Sequence, residues 1–221
     1  MRGSMRLATL LAASVFGTVS TAGAQVFGIP VRNAGVSTGI TFGVDFGLPN
    51  ADAGDGWAIG GSAALGLGPL GVSASAARLD PEAGDAFTSL GATAGLKVCC
   101  GPLLPLSVTA QAGAAYGEQD DPLASGKTKL WHFPVGVGFT VTIPNPVLAI
   151  KPWAAPRLDV LRTNVPGTGA STDTNFGVSG GIDLSFLNGL GIRAMYDRVF
   201  DDNGDPAVVS FGLSWGLRVG P

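Results

Sequence analysis

The strongest constraint on the fold of this chain is a period-two alternation that recurs along its length. In 36–46, one set of alternate positions reads Val36, Thr38, Ile40, Phe42, Val44 and Phe46, with Gly, Ser, Thr and Asp between them. Segments 131–143, 176–186 and 209–219 repeat the pattern. Successive strand residues point to opposite faces, whereas an amphipathic helix spaces its apolar residues three and four apart. The alternation therefore predicts strands with one apolar face and one face of small or polar residues.

The same pattern predicts ten strands, most of them as long as the roughly 9–11 residues that a tilted membrane strand needs. They lie near 36–46, 57–67, 71–79, 87–98, 106–116, 130–143, 147–161, 174–186, 189–199 and 207–219. Short connections at 68–70, 99–105, 144–146 and 187–188 alternate with longer polar ones at 47–56, 80–86, 117–129, 162–173 and 200–206. This arrangement predicts five hairpins, with long loops at one end and both chain termini at the short-turn end, in the periplasm.

Residues 1–24 have the features of a cleavable signal peptide. Arg2 and Arg6 precede a short apolar run at 7–19, and Ala22-Gly23-Ala24 supplies small residues at the predicted cleavage site. An apolar run of about 13 residues is shorter than the roughly 20 that a membrane-spanning helix needs. We therefore expect two parts, a signal peptide at 1–24 and one domain at 25–221, with a retained N-terminal anchor as the alternative.

The composition narrows the fold further. Charged residues make up 13% of the chain and the net charge is −3, which argues against a nucleic-acid partner. No apolar run of about 18 residues follows the signal, so the sequence predicts no membrane helix. An exported chain with so few charges can place its apolar side chains against lipid if its strands close into a barrel. We predict an all-β, transmembrane, up-and-down antiparallel β-barrel of ten strands, with eight strands or a soluble β-sandwich as alternatives.

Aromatic residues support the same orientation, because such rings favour the headgroup level of a membrane. Six are predicted near the long-loop ends: Phe46, Trp57, Tyr116, Trp131, Phe176 and Tyr196.

In these features the chain resembles the small outer-membrane barrel proteins of Gram-negative-type bacteria, a group that includes OmpA-like, Opa-like and OmpW-like barrels. The resemblance implies an outer-membrane location, with membrane lipid and the barrel-assembly machinery as partners. The final strand departs from the group by ending in Val219-Gly220-Pro221 instead of an aromatic residue.

A thin set of charged residues falls on the predicted inward face. It comprises Asp45, Lys97, His132, Lys151, Arg157, Asp159, Asp183, Arg193, Asp197 and Arg218. Charges in a narrow lumen must be paired or hydrated, so we expect a structural ion-pair network. The alternative is a narrow channel whose charges select ions or a small solute. The many inward glycines leave unfilled space in the predicted lumen, so a small pore remains an alternative interpretation.

Three prolines interrupt predicted strands: Pro134 in the sixth, and Pro152 and Pro156 in the seventh. Each removes a hydrogen-bond donor from the ladder. The turn at 144–146 would bring Pro134 close to Pro156. We consider a lateral seam that admits a lipid or small apolar solute from the membrane, with local bulges as the alternative.

His132 is the only histidine, and the same turn places it opposite Arg157 or Asp159. A His–Asp pair at the mouth of a ten-stranded barrel resembles the omptin proteases, but no second carboxylate pair is evident here. We therefore expect no enzyme activity, with a surface hydrolase as a distant alternative. No cofactor or metal is expected, because the sequence has no Cys-x-x-Cys-His haem signature and no cluster of zinc ligands. Cys99 and Cys100 are adjacent and form either a disulfide or two free thiols. The predicted role is structural or that of a narrow pore, in an oligomeric state that the sequence leaves open.

Overall fold

A single antiparallel sheet closes on itself to form the wall of the molecule. The computed structural model describes residues 26–36, 38–100, 105–120, 126–167, 169–202 and 204–217. Its strands are β1 Gly39–Pro49, β2 Trp57–Leu67, β3 Leu70–Asp80, β4 Phe87–Cys99, β5 Leu106–Asp120, β6 Lys127–Val141, β7 Ile143–Pro144, β8 Leu148–Val165, β9 Gly169–Phe186, β10 Leu190–Phe200 and β11 Ala207–Leu217. The two-residue β7 continues the line of β6, and both pair with β8. Because β11 pairs with β1, the described strands form a closed barrel of ten wall strands, which confirms the predicted fold class.

The alternation seen in the sequence sorts side chains between the two faces of the wall. On β1, Phe42, Val44 and Phe46 are exposed, whereas the intervening Gly43 and Asp45 are buried. The same exposure of apolar side chains continues around the barrel. A contiguous apolar surface of this extent is not tolerated on a soluble monomer, but it suits contact with acyl chains. No helix in the described part of the chain is long and apolar enough to cross a bilayer.

Several strand boundaries differ from those predicted. Two segments that were expected to be polar loops include strand residues. In 117–129, β5 continues to Asp120 and β6 starts at Lys127. In 162–173, β8 continues to Val165 and β9 starts at Gly169. The last pair is rich in Thr, Ser and Val, which accept extended backbone. Gly167 (φ 84°) and Gly169 (φ 97°) supply the left-handed conformations for the turn. The β8–β9 hairpin therefore extends further beyond the wall than the sequence indicated.

Residues 26–36, which we call the lumen segment, run through the interior of the barrel. At the long-loop end, Phe27 and Ile29 lie in a buried apolar cluster with Leu79, Phe87 and Leu130. At the short-turn end, Val36 lies against Gly71, where an added Cβ would meet its side chain at 3.0 Å. Eleven extended residues span at most roughly 36–40 Å, and a hydrocarbon core is about 30 Å thick. The lumen segment is thus long enough to fill the barrel from end to end.

This path corrects one expectation. Strand β1 does start at the short-turn end, but Val26, the first described residue, lies at the opposite, long-loop end, so the expectation that the chain approaches β1 from the short-turn end was wrong. The first strand also begins at Gly39 instead of 36, because Val36 belongs to the lumen segment. The aperiodic residues before the first strand fill the barrel and do not simply lead into it.

Inward-facing glycines make room for the lumen segment. A Cβ at Gly47 would lie 2.1 Å from the carbonyl oxygen of Gly28, and one at Gly138 would lie 2.3 Å from the carbonyl oxygen of Asn33. Both distances are shorter than any van der Waals contact, so a larger residue would push the segment away. The inward glycines thus provide the space that the segment occupies.

Candidate functional site: the charge network of the lumen

The inward charges of the wall converge on the lumen segment. The structure buries Asp45, His132, Arg157, Asp159, Asp183, Arg193 and Asp197. Lys97 and Lys151 take half-buried inward positions towards the short-turn end. Arg218 lies outside the described residues. The seven buried groups form three connected sets.

The largest set, the His132 cluster, joins His132, Arg157, Asp159 and Asp197 across strands β6, β8 and β10. His132 Nε2 lies 2.7 Å from Asp159 Oδ1. Arg157 bridges the two carboxylates: its Nε lies 2.8 Å from Asp159 Oδ2, and its Nη2 donates to Asp197 Oδ1 at 2.6 Å. All four side chains are at least 96% buried. One guanidinium therefore stabilises two carboxylates that water does not reach.

The His132 cluster also holds the lumen segment in place. The backbone N–H of Val31 donates to Asp197 Oδ2 at 2.9 Å, so this carboxylate is shared between Arg157 and the segment. Above the cluster, the Phe27 ring lies 6.5 Å from the His132 ring, centroid to centroid, and Phe27 N–H donates to Ser89 Oγ at 3.0 Å. The cluster thus connects wall strands to the upper half of the segment.

The two other sets lie lower in the barrel. Arg193 on β10 makes a two-point ion pair with Asp45 on β1, with Nε donating to Oδ1 at 2.6 Å. Arg32 of the lumen segment pairs with Asp183 on β9, and Trp153 Nε1 donates to the other oxygen of that carboxylate at 3.3 Å. Sequence reasoning missed Arg32 because it precedes the first predicted strand and belongs to no alternating pattern.

Little space remains around these contacts. A cavity of about 10 Å³ lies between the lumen segment and the wall strands β5, β6 and β8. It is lined by Val31, Asn33, Gln111, Pro134, Gly136, Ala155, Pro156 and Arg157. That volume suffices for about one water molecule. At this point between the lumen segment and the described wall strands, no room remains for a solute larger than water.

The prolines interrupt the ladders on both sides of β6. Between β5 and β6 the pairing stops after Ala112–Val135 and resumes at Ala115–His132, beside Pro134. Between β6 and β8 it stops after Gly136–Arg157 and resumes at Phe139–Ala154, beside Pro156. Pro134 faces Asp159 in this register, three residues along β8 from Pro156, so the two prolines are close without being directly opposite each other. Both rings nevertheless line the same small cavity.

His132 is 1% exposed and its Nε2 lies 2.7 Å from Asp159 Oδ1, so both side chains are enclosed between the wall and the lumen segment. Among the described residues, no three His, Cys, Asp or Glu side chains stand close enough to hold a metal ion. Cys99 and Cys100, for which the sequence left two states open, form a disulfide between adjacent residues. The buried pair of His132 and Asp159 is part of the ion-pair network in the lumen, because Asp159 also contacts Arg157.

No family model and no curated protein matches the sequence. Among solved structures, the β domain of the Bordetella autotransporter BrkA aligns with a TM-score of 0.56 at 11% identity, over 82% of this chain and all of that one. The chain has the fold of the small bacterial outer-membrane β-barrels. The apolar band around the wall suits contact with lipid acyl chains.

Two further outer-membrane barrels align less closely. The N-terminal barrel of Pseudomonas aeruginosa OprF has a TM-score of 0.41 at 11% identity, over 81% of this chain and 98% of that one. The Escherichia coli outer membrane protease OmpT has a TM-score of 0.44 at 9% identity, over 81% and 94%. A shared fold does not itself decide activity.

Proposed function

We propose that this chain is an outer-membrane barrel with a structural role, and that it stands closed in the membrane, sealed by its own lumen segment. The observation that supports this proposal is the path of residues 26–36 through the lumen, where only about 10 Å³ remains between Val31, Asn33 and the wall strands β5, β6 and β8. Contacts along the whole segment, from Phe27 to Val36, favour a stable seal over a mobile one.

A narrow pore is the second candidate, and it requires the lumen segment to leave. The inward wall consists mostly of Gly, Ser, Thr and Ala, so the barrel without the segment would enclose a lumen lined by small groups. Eight strands are about filled by their own side chains whereas 16 enclose water, and ten lies between. Uptake through the seam beside Pro134, Pro152 and Pro156 stays a prediction, as does hydrolysis involving His132.

Planar-bilayer recording separates the closed barrel from the open pore. We expect no stepwise conductance from the wild-type protein in phosphatidylcholine bilayers. A variant lacking residues 26–36 should give discrete steps, because no other described segment fills the lumen. Steady conductance from the wild type would overturn the proposal of a closed barrel.

A point substitution provides the same readout if the deletion variant fails to fold. Gly138→Val inserts a side chain where a Cβ already lies 2.3 Å from the Asn33 carbonyl oxygen, so it should displace the segment and open the pore. Gly61→Val is the matched control, because Gly61 faces outward and its nearest neighbouring atom is 4.0 Å from an added Cβ. Equal conductance from both substitutions would contradict sealing by the lumen segment.

A further inference from the structure

The basic residues on the outside of the wall are confined to one rim. Within the described strands, the outward-facing ones are Arg78, Lys127, Lys129, Arg162 and Arg198, all near the long-loop ends. The two lysines near the short-turn ends, Lys97 and Lys151, face inward. On the outward face of the described strands, positive charge is therefore confined to the long-loop rim.

Lys129 and Arg162 lie together at the rim. Arg162 on β8 is directly opposite Trp131 on β6, and Lys129 is two residues further along β6 on the same face. Such diagonal neighbours in an antiparallel pair lie about 7–8 Å apart, within the joint reach of two long side chains. Both residues are exposed. Their cationic groups can therefore approach one anion from two sides.

Both flanking strands carry carboxylates at this rim: Glu118 and Asp120 on β5, and Asp173 on β9, which pairs with Leu161 and therefore points to the opposite face from Arg162. Glu118 on β5 is opposite Lys129, but its carboxylate lies 3.6 Å from the ammonium group of Lys127 and also accepts a hydrogen bond from the Tyr116 hydroxyl. Asp120 is paired with Lys127 in the register. Among residues 26–217 that the structure describes, neither Lys129 nor Arg162 forms an ion pair. The β8 side of the patch thus keeps its positive charge.

Aromatic and apolar side chains continue directly below the two basic groups. The Trp131 ring lies 4.6 Å from Tyr116 and 6.1 Å from Phe133, centroid to centroid. Val135 and Leu158, which pair across β6 and β8, extend this surface and are more than half exposed. Trp and Tyr rings favour the headgroup boundary, so the basic groups stand at the level of lipid phosphates and the apolar surface at the level of acyl chains.

We propose that Lys129 and Arg162 bind the phosphate of a phosphorylated lipid in the outer leaflet, whose acyl chain lies along Trp131, Phe133 and Val135. Arg offers a planar two-point contact to a phosphate and Lys a point charge, so the pair suits one phosphate group. The apolar surface beneath favours a membrane lipid over free phosphate as the source of the anion. This site is on the outside of the wall and does not depend on whether the lumen is sealed.

The test counts bound lipid by native mass spectrometry on protein from phosphatidylcholine nanodiscs doped with a bis-phosphorylated, acylated glucosamine disaccharide. We expect the wild-type protein to retain the phosphorylated lipid in preference to the same lipid after phosphatase treatment. The double variant Lys129→Gln/Arg162→Gln should weaken binding by about ten- to thirtyfold, since each basic group near a lipid surface contributes roughly a factor of five. Unchanged retention in this variant would overturn the proposal.

The matched control is Arg78→Gln/Arg198→Gln, which removes the same number of outward basic residues from the same rim but leaves the pair intact. We expect wild-type retention from this control, and an equal loss would show general attraction to the rim and overturn the specific site. Inorganic phosphate added during the measurement should not displace the lipid at equal concentration, and displacement would contradict the lipid as its ligand. Equal migration of unheated samples on gels checks that all variants are folded.

Discussion

Replacing Arg157 with methionine should lower the free energy of unfolding by about 3–5 kcal/mol, the cost of leaving a buried charge without its partner. Arg157 is the cation that contacts both Asp159 and Asp197, and all three side chains are at least 96% buried. The substitution keeps most of the volume but leaves two carboxylates without their counter-charge. Urea unfolding of the refolded barrel in detergent, followed by tryptophan fluorescence, measures the change.

Arg162→Met is the control for that experiment. Arg162 lies on the same strand but is exposed and forms no ion pair within the described residues, so its replacement should change stability by no more than about 0.5 kcal/mol. An equal decrease in the free energy of unfolding of both variants would contradict a specific contribution from the ion pairs of the buried His132 cluster. Because Asp197 also accepts the Val31 N–H, we expect Arg157→Met to loosen the lumen segment as well.

An epitope tag inserted directly before Val26 should be accessible to antibody on intact cells. Val26 belongs to the apolar cluster at the long-loop end, and long loops face the outside in barrels of this class. The same tag placed after Pro221 should become accessible only after the outer membrane is permeabilised, since β11 ends at the short-turn end with Leu217 opposite Ile40. The reverse pattern of accessibility would contradict the direction of the lumen segment.

The wall of the barrel could be predicted because its physics is local. Alternation within 57–67 and 87–98 places the strands almost exactly where β2 and β4 lie, since one face must meet lipid and the other must not. The inward charges follow from the same parity, which is how Asp45 and Arg193 were recognised as candidates although they are 148 residues apart. Their individual pairings depend on barrel closure and were not predictable from the pattern.

The lumen segment could not be found in the same way. Residues 26–36 have no alternation, because a chain surrounded by wall on every side has no lipid-facing positions. The available signal was indirect: the inward glycines left a volume that something had to fill. The exact register between β6 and β8 could not be predicted either. Counting from the turn at 144–146 placed His132 opposite Arg157 or Asp159, whereas the actual pairing places it opposite Leu161.

The most direct test of the filled lumen is a nuclear Overhauser measurement on the refolded barrel with selectively labelled aromatic residues. The Phe27 ring lies 5.7 Å from the Phe87 ring and 6.5 Å from the His132 ring, centroid to centroid. We predict cross-peaks from Phe27 to both rings. A Phe27 ring that shows contacts to water or detergent, and none to Phe87 or His132, would contradict the placement of the lumen segment.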